Sequence, residues 1–206
     1  MDDRRPATIA DRFALAVSAG CSPYVVLPVF IGLLAVERTP DARQAWLWGG
    51  ISACGLVGVP LLYIGLGVAR GTLSDIHIDR REQRRGPFLA AMLGAALAAL
   101  LLDLTHAPLE FPLAAAAMVL NGALFLLISM WWKISVHPSV LAACAVLTGI
   151  LVSPTYLWVL LAVPVVIWAR VRRQRHSWAQ GLLATVLSAG TTGAMVYIYV
   201  AHHGGL

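Results

Sequence analysis

Charge is what this chain has least of. Only 12% of its residues are Asp, Glu, Lys or Arg, against 59% hydrophobic, and the mean hydropathy of +0.78 lies beyond the range of soluble globular domains. A soluble enzyme and a nucleic-acid-binding module are therefore excluded. Cysteine is scarce as well: Cys21, Cys54 and Cys144 each fall inside an apolar stretch, where they read as small buried hydrophobes and neither as a disulfide framework nor as a metal centre. Internal repeats, low-complexity tracts and any polar segment long enough to fold as a soluble domain are also missing. Chemistry must then sit in short loops or among helices of a single integral membrane domain, residues 1–206.

What is present is a series of long apolar runs. A hydrocarbon core about 30 Å thick needs roughly 20 apolar residues per helix, and the runs at 13–36, 46–69, 87–102, 111–132, 139–152, 156–169 and 181–201 meet or approach that length. The expected fold is an all-α polytopic helix bundle of about six or seven spans. The fifth and sixth runs are short, and Ser153-Pro154 between them marks either two spans or one broken helix. The first run follows Arg12, contains Pro23 and Pro28 and has no small-residue cleavage site, which argues against a removable signal peptide.

The net charge of +5 is unevenly spread, because basic residues collect in the leader, at 70–85 and at 170–175. Counting spans puts these places on one side of the membrane. The opposite loops, "ERTPDAR", "DLTHAPLE", "SPT" and the tail "HHGGL", hold two arginines in total. The positive-inside rule makes the arginine-rich face cytoplasmic in the cell membrane.

Three polar clusters share that face: "SDIHIDRREQRRGPF", "WWKISVHPS" and "ARVRRQRHSWAQ". Each has a plain reading taken alone. The first is a loop attracted to anionic headgroups, Lys133 is a snorkelling anchor beside Trp131 and Trp132, His137 caps the next helix, and the arginine run halts translocation. Together they suggest one site. His176 and Gln180 are four apart, on one face of a helix that begins there, so the Gln180 carbonyl can fix the imidazole tautomer and free its other nitrogen for attack. Lys133, Ser135 and His137 alternate, and an extended stretch would point all three to one side. Lysine and arginine neutralise phosphate, serine donates to its oxygens and a second histidine protonates a leaving oxygen.

These residues resemble the type 2 phosphatidic acid phosphatase superfamily, whose motifs run K-x6-R-P, P-S-G-H and S-R-x5-H-x3-D. Here "RVRRQRH" reproduces the arginine-to-histidine spacing, "SVH" stands at S-G-H, and "RREQRRGP" is a loose counterpart of the first motif. The likeness covers about 70–200 and leaves the first apolar run unmatched. Val136 replaces glycine, Ile134 proline, Ala169 serine and Gln180 aspartate, and Gly86 separates Arg85 from Pro87. The resemblance implies a metal-free, cofactor-free lipid phosphate phosphohydrolase with His176 as nucleophile, His137 as acid and Gln180 as its partner. Lys133, Ser135, Arg170 and the first-cluster arginines Arg81, Arg84 and Arg85 would hold the phosphate of a polyprenyl or glycerolipid phosphate.

Two other classes fit parts of the pattern. Asp75 and Asp79 in "SDIHID" resemble one aspartate-rich motif of UbiA-type prenyltransferases, but a second motif is missing, Asp103 and Glu110 falling on the opposite face. A transporter or assembly factor whose basic face binds anionic lipid is the non-catalytic alternative; inward-facing charges among the spans would favour transport, and the spans hold almost none. Asn121 is the main polar exception, explained by a helix–helix hydrogen bond, and the small residues of "GAALAA" and "LAAAAM" suggest close helix packing.

Overall fold

A computed structural model describes residues 8–75, 78 and 81–203, with the side chains of Arg81 and His203 outside the description. The described residues form an all-α bundle. Helices α1 (Ile9–Gly20) and α2 (Pro23–Arg38) are followed by α3 (Ala42–Ala53), which passes through a π-helical segment, Cys54–Gly58, into α4 (Val59–Ala69). A 3-10 turn, Arg81–Arg84, leads into α5 (Arg85–Leu104), then come α6 (Glu110–Ile128), α7 (Val136–Leu151), a 3-10 segment Pro154–Ala162, α8 (Val163–Arg172) and α9 (Trp178–His203). Five helical stretches are long and apolar enough to cross a membrane, and a sixth results if α1 and α2 are one span bent by 48°. The 16-residue α7 is apolar but shorter, about 24 Å at the α-helical rise.

The single first run expected from hydropathy is thus two helices. Pro23 is the reason: it sits at the first position of α2, where a missing N–H costs nothing, and α1 ends at Gly20. Similarly, Ser153-Pro154 separates two elements that fold side by side, α7 and the stretch beginning at Pro154, rather than kinking one helix.

Small residues set the closest approach. A methyl group on Gly55, in the π-helical segment, would come within 2.6 Å of Ala98 Cβ and of the Gly94 carbonyl oxygen on α5, so only glycine allows the α3–α4 span to lie against α5. Asn121 ties α6 to α9. Its Nδ2 donates to Ala117 O at 2.9 Å and Thr192 Oγ1 at 3.1 Å, while its Oδ1 accepts from Ser188 at 2.9 Å and Thr191 at 2.8 Å.

Polar contacts also mark the two ends of the bundle. At one, Arg38 at the end of α2 pairs with Glu110 at 2.7 Å and donates to the Leu151 carbonyl, and Tyr156 donates to Glu37 at 3.0 Å. At the other lie the starts of α5, α7 and α9 and the end of α8, which carry the three polar clusters.

Candidate active site

The third cluster owes its shape to how α8 stops. Gln174 takes a left-handed conformation (φ 53°), its N–H bonds Val171 O at 2.8 Å, and Arg175 N–H bonds Arg170 O at 3.0 Å. This is a Schellman ending, normally built on glycine. It reverses the chain within four residues, so the five-residue spacing from Arg170 brings His176 back over that arginine's turn, its N–H 3.4 Å from Arg170 O. A capping box then starts α9. Ser177 Oγ accepts from Gln180 N at 3.3 Å and Gln180 Oε1 accepts from Ser177 N at 3.1 Å.

That box settles the imidazole's chemistry. Since Ser177 N–H can only donate, the Gln180 atom facing it must be the carbonyl oxygen, and the same oxygen lies 3.1 Å from His176 Nδ1. Nδ1 therefore carries the hydrogen and Nε2 keeps its lone pair. Burial, followed by the positive charges of Arg84, Arg170 and Lys133, pushes the His176 pKa down from 6.5 to about 3, against a smaller opposing effect of the Gln180 bond. Neutral His176 is the nucleophilic form.

The other clusters reach the same place. Arg84, 7% exposed at the start of α5, donates from Nε to Ile78 O at 3.1 Å and from Nη1 to Ile134 O at 2.8 Å, joining the first cluster to the second through backbone carbonyls and leaving its charge unneutralised by these bonds. Ile78 itself is left-handed (φ 48°), an uncommon conformation for a β-branched residue. Lys133 is half-buried; burial and then the charges of Arg84 and Arg170 lower its pKa, while Asp75 opposes them. Arg170 is 4% exposed, donates from Nη1 to Ser18 Oγ at 2.7 Å, and its buried Nε has no hydrogen-bond partner among the described residues. Arg84, His137, Arg170 and His176 all line one cavity of about 430 Å³.

Not every expected residue joins them. Ser135 is wholly buried at the N-cap position of α7, its hydroxyl without a hydrogen-bond partner among the described residues, and it does not line the cavity. The expected alternation of Lys133, Ser135 and His137 fails because the helix begins at Val136; His137 lies in the first turn of α7, and Ser135, not His137, occupies the cap position. Arg85 is exposed and does not line the cavity. Arg81's side chain and Asp79 lie outside the described residues.

Sequence reasoning missed Ser18. The first helix packs along α8, with Phe13 against Trp168 at 5.9 Å between ring centroids and Arg172 paired to Asp11 at 2.9 Å, and Ser18 is thereby delivered to Arg170. A lone serine in an apolar run carries no signal of this role. Among the described residues, no group of three or more His, Cys, Asp or Glu could hold a metal ion. No protein-family model matches the chain, no curated protein matches it in sequence, and no solved structure matches it in fold.

Proposed function

We propose that the protein is a membrane lipid phosphatase that hydrolyses a phosphomonoester or diphosphate of a lipid through a phosphohistidine. The observation that carries this reading is a neutral, Nδ1-protonated His176 held among Arg84, Lys133 and Arg170, where the described hydrogen bonds of Arg84 go to backbone carbonyls and that of Arg170 to a serine hydroxyl. The positive charge that these three side chains place around one uncharged nucleophile favours a multiply charged anion. His176 Nε2 attacks phosphorus and the bond from phosphorus to the lipid oxygen breaks. His137 gives that oxygen a proton. Water then attacks the phosphohistidine, His137 takes up the proton, and inorganic phosphate leaves.

In this reading the chain spans the membrane seven times, counting α1–α2 as one span and α7 as a short one, with the site at the cytoplasmic face of the cell membrane. The test is phosphate release from a panel of polyprenyl and glycerolipid phosphates in detergent, comparing the parent with His176→Ala. Undiminished release by His176→Ala would sink the proposal. Turnover that stops with chelator and returns with magnesium would favour prenyl-transfer chemistry at the aspartates of the first cluster.

A further inference from the structure

Below the cationic end, the cavity is a sleeve of apolar side chains. On α7 its wall is the stripe His137, Val140, Ala143, Cys144 and Leu147, spaced three and four apart along one helix face. From His137 to Leu147 that stripe descends ~15 Å, about half of a bilayer's hydrocarbon thickness. Helix α6 supplies a matching stripe from Ala114 to Phe125, and Leu27 and Phe30 of α2 and Leu56 of the π-helical segment line it too. The room comes from small residues in its lining: Ala91, Ala114, Ala117 and Ala143. Protein interiors are otherwise packed with few voids larger than a water molecule. Of the uncharged polar residues that line the cavity, Asn121 and Ser188 are bonded to α6 and α9 partners and Ser139 to the Val136 carbonyl, while Ser22 and Tyr24 lie at the α1–α2 junction.

A space charged at one end and apolar along its length has the form of an amphiphile. We infer that this sleeve takes up one hydrocarbon chain of the phosphate-bearing substrate, so that the tail lies inside the bundle beneath His176 and does not remain in the bilayer. The inference deepens the phosphatase reading and rests on it for the placement of the phosphate. The cavity's volume, about 430 Å³, lies within the roughly 300–1,000 Å³ of pockets that bury most of a small ligand's surface. Cationic side chains would fix the headgroup, and the apolar walls would supply affinity that grows with chain length until the sleeve is full.

The experiment uses the full chain in phosphatidylcholine nanodiscs and a non-hydrolysable hexadecyl phosphonate carrying a diazirine in mid-chain. After irradiation, labelled peptides should map to the inward stripes of α6 and α7, around Ala117, Ala143 and Cys144. Butyl phosphonate in excess should displace little of this label, whereas unlabelled hexadecyl phosphonate should displace nearly all of it. Ala143→Phe, which fills the sleeve from α7, should cut interior labelling at least tenfold while thermal unfolding stays close to that of the parent. If that variant misfolds, the parent's labelling map alone decides. Label confined to the outward residues Leu93 and Leu97, both exposed on α5, would overturn the inference. Interior labelling of a protein that releases no phosphate from any lipid phosphate would uphold the tail site and remove the phosphatase reading.

Discussion

Ser18 Oγ accepts a hydrogen bond from Arg170 Nη1 at 2.7 Å, joining two nearly fully buried residues 152 positions apart. Arg170 lies in the last turn of α8, with its Nε lacking a hydrogen-bond partner among the described residues. One edge of the guanidinium is thus fixed by the first helix, in a residue that lines the cavity. A hydrogen bond to a charged group contributes about 1.5–3 kcal/mol, enough to orient the fork before phosphate arrives.

Loss of that anchor should show in phosphate binding more than in folding. Ser18→Ala is expected to raise KM for a lipid phosphate about tenfold, which corresponds to about 1.4 kcal/mol, with a smaller change in kcat. Ser18→Thr keeps the hydroxyl and should restore the parent value. Arg170→Ala should cost about a hundredfold in kcat/KM, since it removes charge and geometry together. Equal KM values for Ser18→Ala and the parent would reduce the serine to packing.

The contrast between these two residues explains how much was legible beforehand. Arg170, His176 and Gln180 lie within eleven positions, so spacing alone could propose their meeting, and Asn121 stood out because amides are rare in apolar helices. Ser18 could not be found that way, nor could Arg84's bond to Ile134 O, because both depend on packing between segments far apart in sequence. The bend after Gly20 was hidden by unbroken hydropathy. The Schellman ending was hidden because Gln174 stands where glycine is usual. In the second cluster, alternation predicted an extended strand to His137, but Pro138 is well tolerated in a first helical turn and the helix starts before it.

Gln174 offers a direct check on that ending. A non-glycine residue in the left-handed region costs about 1–2 kcal/mol, so Gln174→Gly should stabilise the protein modestly, or leave it unchanged once the greater freedom of the unfolded glycine is counted. Turnover should be preserved. Gln174→Val, β-branched in the same conformation, should destabilise the α8–α9 turn and slow turnover with it. Thermal unfolding of the three proteins in one detergent, paired with phosphate release, would settle whether the turn holds His176 in position.

The Asn121 network predicts a stability effect separable from the site. Asn121→Leu removes four hydrogen bonds between or within α6 and α9, and leaves Ser188 and Thr191 to find other partners. Interhelical hydrogen bonds in membranes average about 0.6 kcal/mol and reach about 1.7, so a loss of about 1–2 kcal/mol is expected. It should be read by unfolding in mixed micelles, against Ser188→Ala as the smaller step. A variant as stable as the parent would mean that the network positions the cavity wall without contributing to stability.

Orientation can be tested apart from activity. With Cys21, Cys54 and Cys144 replaced by alanine, a cysteine at Thr72, in the loop before the first-cluster arginines, should resist a membrane-impermeant maleimide in intact cells. One at Thr105, at the far end of α5, should react. The reverse pattern would invert the topology and put the site outside.

The sharpest prediction concerns the proton state of His176. Its pKa is held near 3 by burial and by the three surrounding cations, against about 6.5 in the unfolded chain. Because the folded value is the lower one, the unfolded state binds the extra proton first: this histidine's contribution to stability is complete above about pH 6.5 and is lost progressively as pH falls towards 3. Nitrogen NMR of histidine-labelled protein at pH 5, without ligand, should therefore find the His176 imidazole still neutral, protonated on Nδ1 and bare on Nε2, and His176→Ala should remove that signal. Gln180→Asp should raise the pKa by placing a carboxylate beside Nδ1, and should preserve or increase turnover by stabilising any imidazolium that forms. Gln180→Leu removes the acceptor and one half of the capping box, and should lose turnover and the fixed tautomer together. A cationic His176 at pH 5 in the parent would remove the neutral nucleophile on which the proposed chemistry depends.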